Sequence, residues 1–208
     1  MSNATFKVFV DKMGGSNLAS YKGTSGEIVY DPAIPVLKIT DGVTPGAINL
    51  AFTQVSPIYA QISSNTNQIP ANTSPYVATF DTHDFVSGFT HTLGGTRVMA
   101  NFDGIYYILV GGQISRGAAG GLVQLADFWI RKNGTDVPSS GVRISLLNLN
   151  DTSVLVLNFV IPLLATDYIE VVQAVDNPTA NIGLTRFSSL GGGPSVPSVI
   201  LTIAKVSG

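Results

Sequence analysis

The side chains best suited to chemistry in this sequence cluster between residues 81 and 91. Asp81, His83, Asp84 and His91 fall within this stretch, and carboxylate and imidazole groups are common ligands of divalent metal ions. Their spacing matches no established metal-binding loop, and polar side chains at strand ends commonly form such clusters. We therefore predict no metal site and no cofactor.

Other kinds of catalytic or phosphate-binding site also lack support. The sequence has many serines but no G-x-S-x-G turn, and only two histidines are available as a general base. Among the acidic residues of the strongly patterned blocks, Asp103 and Asp167 fall at turns, and Glu170 is typical of a strand edge or an interface. The glycine-rich stretch 111–121 precedes neither a helix nor a Lys-Ser/Thr pair, so it is not a phosphate loop. The sequence predicts a protein that is not an enzyme.

Charged residues are scarce. Only 12% of the 208 residues are charged, against about 25% in an average globular domain, while 45% are hydrophobic. Because these charges would cover a monomer thinly, we expect part of the surface to be buried against other copies of the chain. The long apolar stretches are broken by Asn, Gly and Pro at strand-like intervals, which indicates a β-core rather than a membrane helix.

Composition also indicates which partners and which cellular compartment to expect. A net charge of −2 without a Lys/Arg cluster leaves nothing to neutralise a phosphate backbone, so nucleic-acid binding is not expected. The absence of cysteine excludes disulfides and suits a protein made in a reducing cytoplasm. The N-terminus lacks the basic and apolar segments of a signal peptide, and neither export by that route nor membrane insertion is expected.

The most informative stretch is Ala126 to Ser140. Residues 127–132 alternate as in a strand, and Asn133-Gly134 is the dipeptide that accepts the positive φ angles of a type I′ turn, so we predict a β-hairpin. Blocks 101–114, 156–175 and 194–206 are also rich in β-branched and aromatic residues between Gly, Pro, Asn or Asp. Eight or more short strands with no helical pattern predict an all-β sandwich or jelly roll.

In order and spacing, these four blocks resemble a domain at the C-terminus of many tailed-phage structural proteins. The match covers about residues 76–206 and is most specific at Trp129 to Ser140 and at Tyr168-Ile169-Glu170. The resemblance implies a jelly roll of the tumour-necrosis-factor and complement-head type, assembled as a homotrimer. One departure is Thr166, where the family usually has Gly before the Asp. We expect the turn there to need another backbone geometry, which weakens the strand register at this point but not the fold.

The N-terminal part carries a second resemblance. Two short strands, Glu27 to Tyr30 and Val36 to Thr40, are followed by an Asp41-Gly42 turn. Residues 26–51 resemble a short "GEIxYDxxxxxLxIxDGxTPGG" module of phage tail-fibre proteins, although any small β-meander with Asp-Gly turns would read similarly. Ala47 replaces the second Gly of this pattern, and we expect little structural consequence.

The chain is therefore predicted to have three parts. Residues 1–52 form a small N-terminal β-module that docks onto a virion and includes a strand at Thr5 to Val10. Residues 53–76 form a polar linker, with either a short helix or an extended arm at Ile58 to Ile62. Residues 77–208 form the jelly-roll head.

The resemblance also assigns candidate surface residues. By position in the family pattern, the trimer interface contains Tyr107, Leu109, Tyr168 and Glu170, or their strand neighbours if the register differs by one. Receptor-facing loops are predicted at 81–92, 115–121, 148–151 and 188–197, with these candidate residues: His83, Asp84, His91, Arg116, Asn148, Asn150, Ser188 and Ser189. His91 on a threefold axis is an alternative way to form a metal site.

Together these features predict a non-enzymatic, homotrimeric virion protein. The leading hypothesis is a short fibre or receptor-binding protein that recognises a glycan or protein on the host surface and contacts other virion proteins. The alternative is a decoration, or cement, protein that stabilises the phage head. The shortness of the chain and the lack of stalk repeats favour this alternative.

Overall fold

The computed structural model describes residues 20–31, 36–49, 57–118 and 122–207. The chain divides into two compact units, residues 1–55 and 56–208. The strand predicted at Thr5 to Val10 lies outside the described residues. The described part is all-β, with antiparallel sheets in both units.

The first unit contains a three-stranded antiparallel sheet. Its strands are β1 (Ile28–Asp31), β2 (Val36–Ile39) and β3 (Ile48–Asn49), in that order. The two predicted strands are thus confirmed to within a residue at each end. Val29 is fully buried, as expected for the inward position of a short, one-sided sheet.

Two residues shape the turns of this unit. The Asp41 carboxylate accepts hydrogen bonds from the Thr44 hydroxyl and from the backbone nitrogens of Thr44 and Val43, and these bonds, that of the hydroxyl first, lower the pKa of Asp41 to about 2. Ala47 adopts φ 56, the left-handed region that costs a residue with a Cβ roughly 1–2 kcal/mol. The backbone keeps the conformation that Gly favours, in agreement with the expected lack of structural consequence, and the cost of the replacement is local strain.

The second unit contains two antiparallel sheets. We call the first the β10 sheet: its order is β11-β10-β14-β8-β7, with β12 also on β10 and β5 on β14. We call the second the β9 sheet: its order is β13-β9-β16-β4-β6, with β15 on β9. The strands, in chain order, are β4 (Tyr59–Ser64), β5 (Tyr76–Val77), β6 (Thr82–Ser87), β7 (Phe89–Thr90), β8 (Val98–Ala100), β9 (Gly104–Arg116), β10 (Gln124–Lys132), β11 (Thr135–Asp136), β12 (Val142–Leu146), β13 (Thr152–Leu163), β14 (Tyr168–Val175), β15 (Ile182–Leu184) and β16 (Val199–Ser207).

The inner sides of these two sheets share one hydrophobic core. In β9 every second residue from Tyr106 onward is buried, and in β10 Phe128 and Ile130 are buried while Trp129 between them is partly exposed. This alternation follows from the period of two along a strand. Tyr106, at the core edge, satisfies its hydroxyl by donating to the Phe102 carbonyl at 2.7 Å.

The predicted hairpin is confirmed. Asn133 and Gly134 have φ angles of 51° and 78°, as a type I′ turn requires. The Asn133 side chain donates to Asp167 at 2.6 Å and accepts from the Tyr168 backbone nitrogen at 2.9 Å. The hairpin tip is therefore joined to the start of β14.

Two segments predicted to lack strands contain them. The expected linker 53–76 includes β4, which pairs with β16 and places Ala60 and Ile62 in the core. The stretch 81–92, expected to be a loop, contains β6 and β7. Both segments have few apolar residues, because only Ala60, Ile62 and Phe89 of these strands lie in the core and no residue of β6 is buried. The neighbouring strands supply the backbone partners.

The turn before β14 also differs from expectation. Thr166 has φ 76, and the Asp167 backbone nitrogen donates to the Leu164 carbonyl at 3.0 Å. A positive φ at the third residue of a four-residue turn is the type II geometry, in which Gly is preferred. The turn therefore keeps the backbone of a Gly despite its Thr, and the predicted change of geometry was wrong.

Candidate functional site

The two ends of the second unit contain different segments of the chain. At one end lie the last residue of β9, Arg116, and the first of β13, Thr152, which pairs with Ser115. At the opposite end β4 begins with Tyr59, which pairs with Ala204 near the end of β16. The chain therefore enters and leaves this unit at the end opposite to the loops that follow β9 and precede β13. We call the end at Arg116 the loop end.

The loop end gathers three of the four predicted receptor-facing loops. The Asn150 backbone nitrogen donates to the Arg116 carbonyl at 2.9 Å, which joins loop 148–151 to the segment after β9. Loop 188–197 is closed at its base by pairing of Phe187 with Val196, just beyond β15, which pairs with the last residues of β9. The candidate residues in these two loops are all exposed: Asn148, Asn150, Ser188 and Ser189. Gly121 and its two predecessors are outside the described residues.

Arg116 is not a surface residue of these loops. It is 0% exposed, and its guanidinium donates to the carbonyls of Ala118 (3.1 Å), Leu122 (3.1 Å), Leu146 (3.2 Å) and Leu147 (2.6 Å). The prediction that it faces a receptor was wrong. The strand period could have shown this, because Arg116 has the same parity as the buried positions of β9.

The loop end presents exposed leucines that sequence analysis missed. Leu122, Leu147, Leu149 and Leu190 are all exposed, with Leu190 at 93%. Loop 148–151 is held by Asp151, whose carboxylate accepts from the Asn148 and Leu147 backbone nitrogens at 2.6 and 2.9 Å. These bonds, the one from Asn148 first, lower the pKa of Asp151. The tip therefore combines apolar side chains with amides and hydroxyls on a fixed backbone.

The two histidines form a pair rather than a metal centre. His83, on β6, has its Nε2 2.8 Å from His91 Nδ1, and His91 Nε2 lies 3.2 Å from the Gly95 carbonyl. A carbonyl only accepts, so His91 Nε2 carries the hydrogen and the neutral Nδ1 accepts from His83. Burial, followed by the charge of His83, lowers the pKa of His91 against the raising effect of the Gly95 carbonyl.

The other members of this cluster do not converge on the pair. Asp84 is exposed on β6. Asp81 accepts instead from the Asn65 backbone nitrogen at 3.1 Å and from the Ser64 hydroxyl at 3.3 Å. Within the described part of the chain, no three His, Asp or Glu side chains are placed to hold a metal ion.

The outer side of the β9 sheet is apolar and exposed. Val154, Val156 and Val160 on β13 are 57–60% exposed, and Tyr59 and Phe85 at the other side of the sheet are also exposed. Tyr107 and Leu109 lie between them, since they pair with Val160 and Asn158. The outward residues of β13, β9, β16 and β4 in this region are all uncharged: Val154, Val156, Asn158, Val160, Ile105, Tyr107, Leu109, Gly111, Gln113, Ile200, Thr202, Ala204, Tyr59, Gln61 and Ser63.

Tyr168 and Glu170 lie on the other sheet. They alternate with the core residues of β14 and therefore face outward from the β10 sheet. The Arg97 guanidinium lies 4.4 Å from the Tyr168 ring centroid, and its Nε donates to Glu170 at 3.3 Å. Glu170 is only 5% exposed. One flat contact surface therefore cannot contain all four predicted interface residues, because the sheets separate Tyr168 and Glu170 from Tyr107 and Leu109.

Comparisons with known proteins do not assign a family. No protein-family model matches the chain, and no curated protein matches it significantly. Among the residues that the structure describes, no helix is long and apolar enough to span a membrane.

Proposed function

We propose that this chain is a non-enzymatic virion protein of a tailed phage, with a jelly-roll head that assembles as a homotrimer and displays its loop end for host-surface recognition. The observation that carries the proposal is the uncharged outer side of the four neighbouring strands β13, β9, β16 and β4, on which Val154, Val156 and Val160 are exposed. The proposal is also supported by the strand pairing, by the end at which the chain enters the head, and by the resemblance of the four sequence blocks to phage structural proteins.

Strand pairing supports the jelly roll. Eight strands form the framework, in chain order β4, β8, β9, β10, β12, β13, β14 and β16. The first pairs with the last, the second with the seventh, the third with the sixth and the fourth with the fifth. This nested pairing is what a double-sheet jelly roll requires, because an antiparallel ribbon folds over into two facing sheets.

The β9 sheet supports self-association. Monomeric proteins rarely expose a contiguous apolar surface of this kind. Burying the exposed parts of Val154, Val156 and Val160 would contribute about 1 kcal/mol each. In addition, β13 is a twelve-residue edge strand, and long apolar edge strands are normally covered. The number of copies, three, is the part that the resemblance supplies.

The position at which the chain enters the head supports display of the loop end. The chain enters at Tyr59, so residues before it connect to the end opposite the loop end. An N-terminal module that docks on the particle would leave the loop end pointing outward. The polar groups at that end, such as Asn150 and Ser188, suit hydrogen bonding to a receptor.

A second candidate, a capsid decoration protein, is favoured by the exposed leucines. Leu122, Leu147, Leu149 and Leu190 suit a contact with another protein better than one with a carbohydrate. In this alternative the same trimer contacts neighbouring shell subunits through its loop end.

Light scattering tests the assembly. We expect the purified protein to have three times the mass of the 21.8 kDa chain. The double variant Val156→Glu/Val160→Glu should have the mass of one chain with an unchanged far-ultraviolet circular dichroism spectrum, because charges would be buried without partners. Val123→Glu, an exposed valine away from this sheet face, is the matched control and should remain trimeric. A wild-type protein with the mass of one chain would refute the trimer.

Immunogold labelling of intact virions in the electron microscope then separates the two candidates. Label confined to the tail would support the receptor-binding role. Label spread over the head would support decoration, and loss of the protein should then reduce capsid resistance to heat. No label on purified virions would refute both.

A further inference from the structure

An open depression of about 560 Å³ lies on the outer side of the β10 sheet. Its lining includes Trp129 and Asp127 from β10, Asp136 from β11, Ser139, and Arg143 from β12. This volume is within the range of small-molecule sites. Trp129 faces outward here because its strand neighbours Phe128 and Ile130 are in the core.

The indole of Trp129 is held in one position. Its Nε1 donates to Asp136 Oδ1 at 2.7 Å, and the same oxygen accepts from Arg131 Nε at 2.9 Å. These two bonds, that of Trp129 first, lower the pKa of Asp136. Since the only donor of the indole is engaged, the ring offers carbon surface to the depression, while Asp136 Oδ2 accepts no hydrogen bond from the described residues.

A fixed ion pair forms the polar side of the depression. Arg143 Nε and Nη2 donate to the two carboxylate oxygens of Asp127, each at 2.6 Å. This fork uses two of the five guanidinium N–H groups and leaves the others for a ligand. A second depression of about 170 Å³ shares Asp127 and Arg143 and adds Leu125 and Asp176. The polar pair therefore lies between two adjoining depressions.

The charges indicate which ligands fit. Asp127 is balanced by Arg143 and Asp136 by Arg131, and only Asp176 adds a net negative charge. Such a surface repels a phosphate or a carboxylated sugar. It suits a ring that has C–H groups on one side and hydroxyls at its edge. The indole would pack against the C–H groups, and the Asp and Arg side chains would form hydrogen bonds with the hydroxyls.

We infer that the Trp129 depression binds neutral hexopyranose units of a glycan. As a step in host recognition this rests on the proposed function, and it adds a carbohydrate site on the side of the head to the contacts proposed for its loop end. The depression and the proposed self-association surface lie on opposite sheets. Assembly through the β9 sheet would therefore leave one open site on each subunit.

The test uses the intrinsic fluorescence of the full chain, since Trp129 is its only tryptophan. The protein is titrated with the methyl glycosides of glucose, galactose, mannose and N-acetylglucosamine. We expect a saturable change with at least one of them, with a dissociation constant in the low millimolar range, as for other ligands of about a dozen heavy atoms. No change with any of the four at tenfold higher concentration would overturn the inference.

Two variants test the assignment of the site. Arg143→Ala should weaken binding at least tenfold, whereas Arg97→Ala, which removes the ion pair of an exposed Arg with the buried Glu170 of the same sheet, should leave it unchanged. Trp129→Leu should abolish the saturation-transfer difference signals of the sugar in nuclear magnetic resonance spectra. Equal weakening by Arg97→Ala and Arg143→Ala would refute the site.

The two proposals fail separately. A trimeric virion protein that binds none of the glycosides would refute this site alone. A monomer that binds a glycoside through Trp129 would refute the proposed assembly and leave the site in place.

Discussion

Replacing Thr166 with glycine should stabilise the second unit. Thr166 has φ 76 in the turn between β13 and β14, and a β-branched residue is strained in this region. Its backbone nitrogen donates to the Ala100 carbonyl at 2.8 Å, and this bond does not depend on the side chain. The substitution therefore relieves strain without removing a backbone contact.

The expected gain in the free energy of unfolding follows from two opposing effects. The left-handed conformation costs a residue with a Cβ roughly 1–2 kcal/mol, and glycine returns about 0.5–1 kcal/mol of this as extra entropy of the unfolded chain. The net gain is about 0.5–1 kcal/mol. For a unit of this size, that corresponds to a rise in Tm of about 2–3 °C.

Thermal denaturation followed by circular dichroism measures the change, with all proteins at one concentration because the Tm of an oligomer depends on it. Thr152→Gly, at an exposed strand position without a positive φ, is the matched control and should lower the Tm. If Thr166→Gly lowers the Tm as much as the control does, the strain argument is refuted and the Thr166 side chain contributes a stabilising contact.

Three further substitutions test other features. Arg116→Met should destabilise the second unit by about 3 kcal/mol or more in urea denaturation, because four carbonyls lose their donor, that of Leu146 in a fully buried bond; a loss below about 1 kcal/mol would contradict the buried role of this side chain. Asp167 has a folded pKa of about 2, set first by Lys132, below its ordinary value of 3.8, so its stabilisation is complete above about pH 4 and is lost as the pH falls towards 2. Asp167→Asn should therefore lose less stability than the wild type over this range, and parallel pH profiles would contradict the assignment. His83→Phe should raise the pKa of His91 followed by nuclear magnetic resonance, because it removes the charge of His83 that, after burial, lowers this pKa; an unchanged His91 titration would show that the pair does not form in solution.

Local sequence rules predicted much of this fold correctly. Asn133-Gly134 forms the predicted type I′ turn because only residues that tolerate positive φ fit there. The strand at Gly104 was predicted from the β-branched and aromatic residues of its block, and alternation along it would have shown that Arg116 is buried. Thr166 and Ala47 show the limit of such rules, since both adopt a backbone conformation that their side chains disfavour.

Features that depend on distant strands were not predictable in this way. β4 lies in a polar segment that reads as a linker, and its partner β16 is more than a hundred residues away. The placement of Tyr107 and Tyr168 on different sheets follows from pairings β9–β16 and β10–β14. The Trp129 depression likewise depends on β12 bringing Arg143 to Asp127.

The amino-acid sequence by itself determined the all-β class, the positions of most strands and the scarcity of surface charge, because strand alternation and turn chemistry act between residues close in the chain. Only the tertiary structure decided which outward side chains share a surface. Pairing between strands far apart in the chain is selected by burial of the whole core. That selection places the valines of β13 beside Tyr107. It leaves Trp129 on the opposite sheet, beside the ion pair of Arg143 and Asp127.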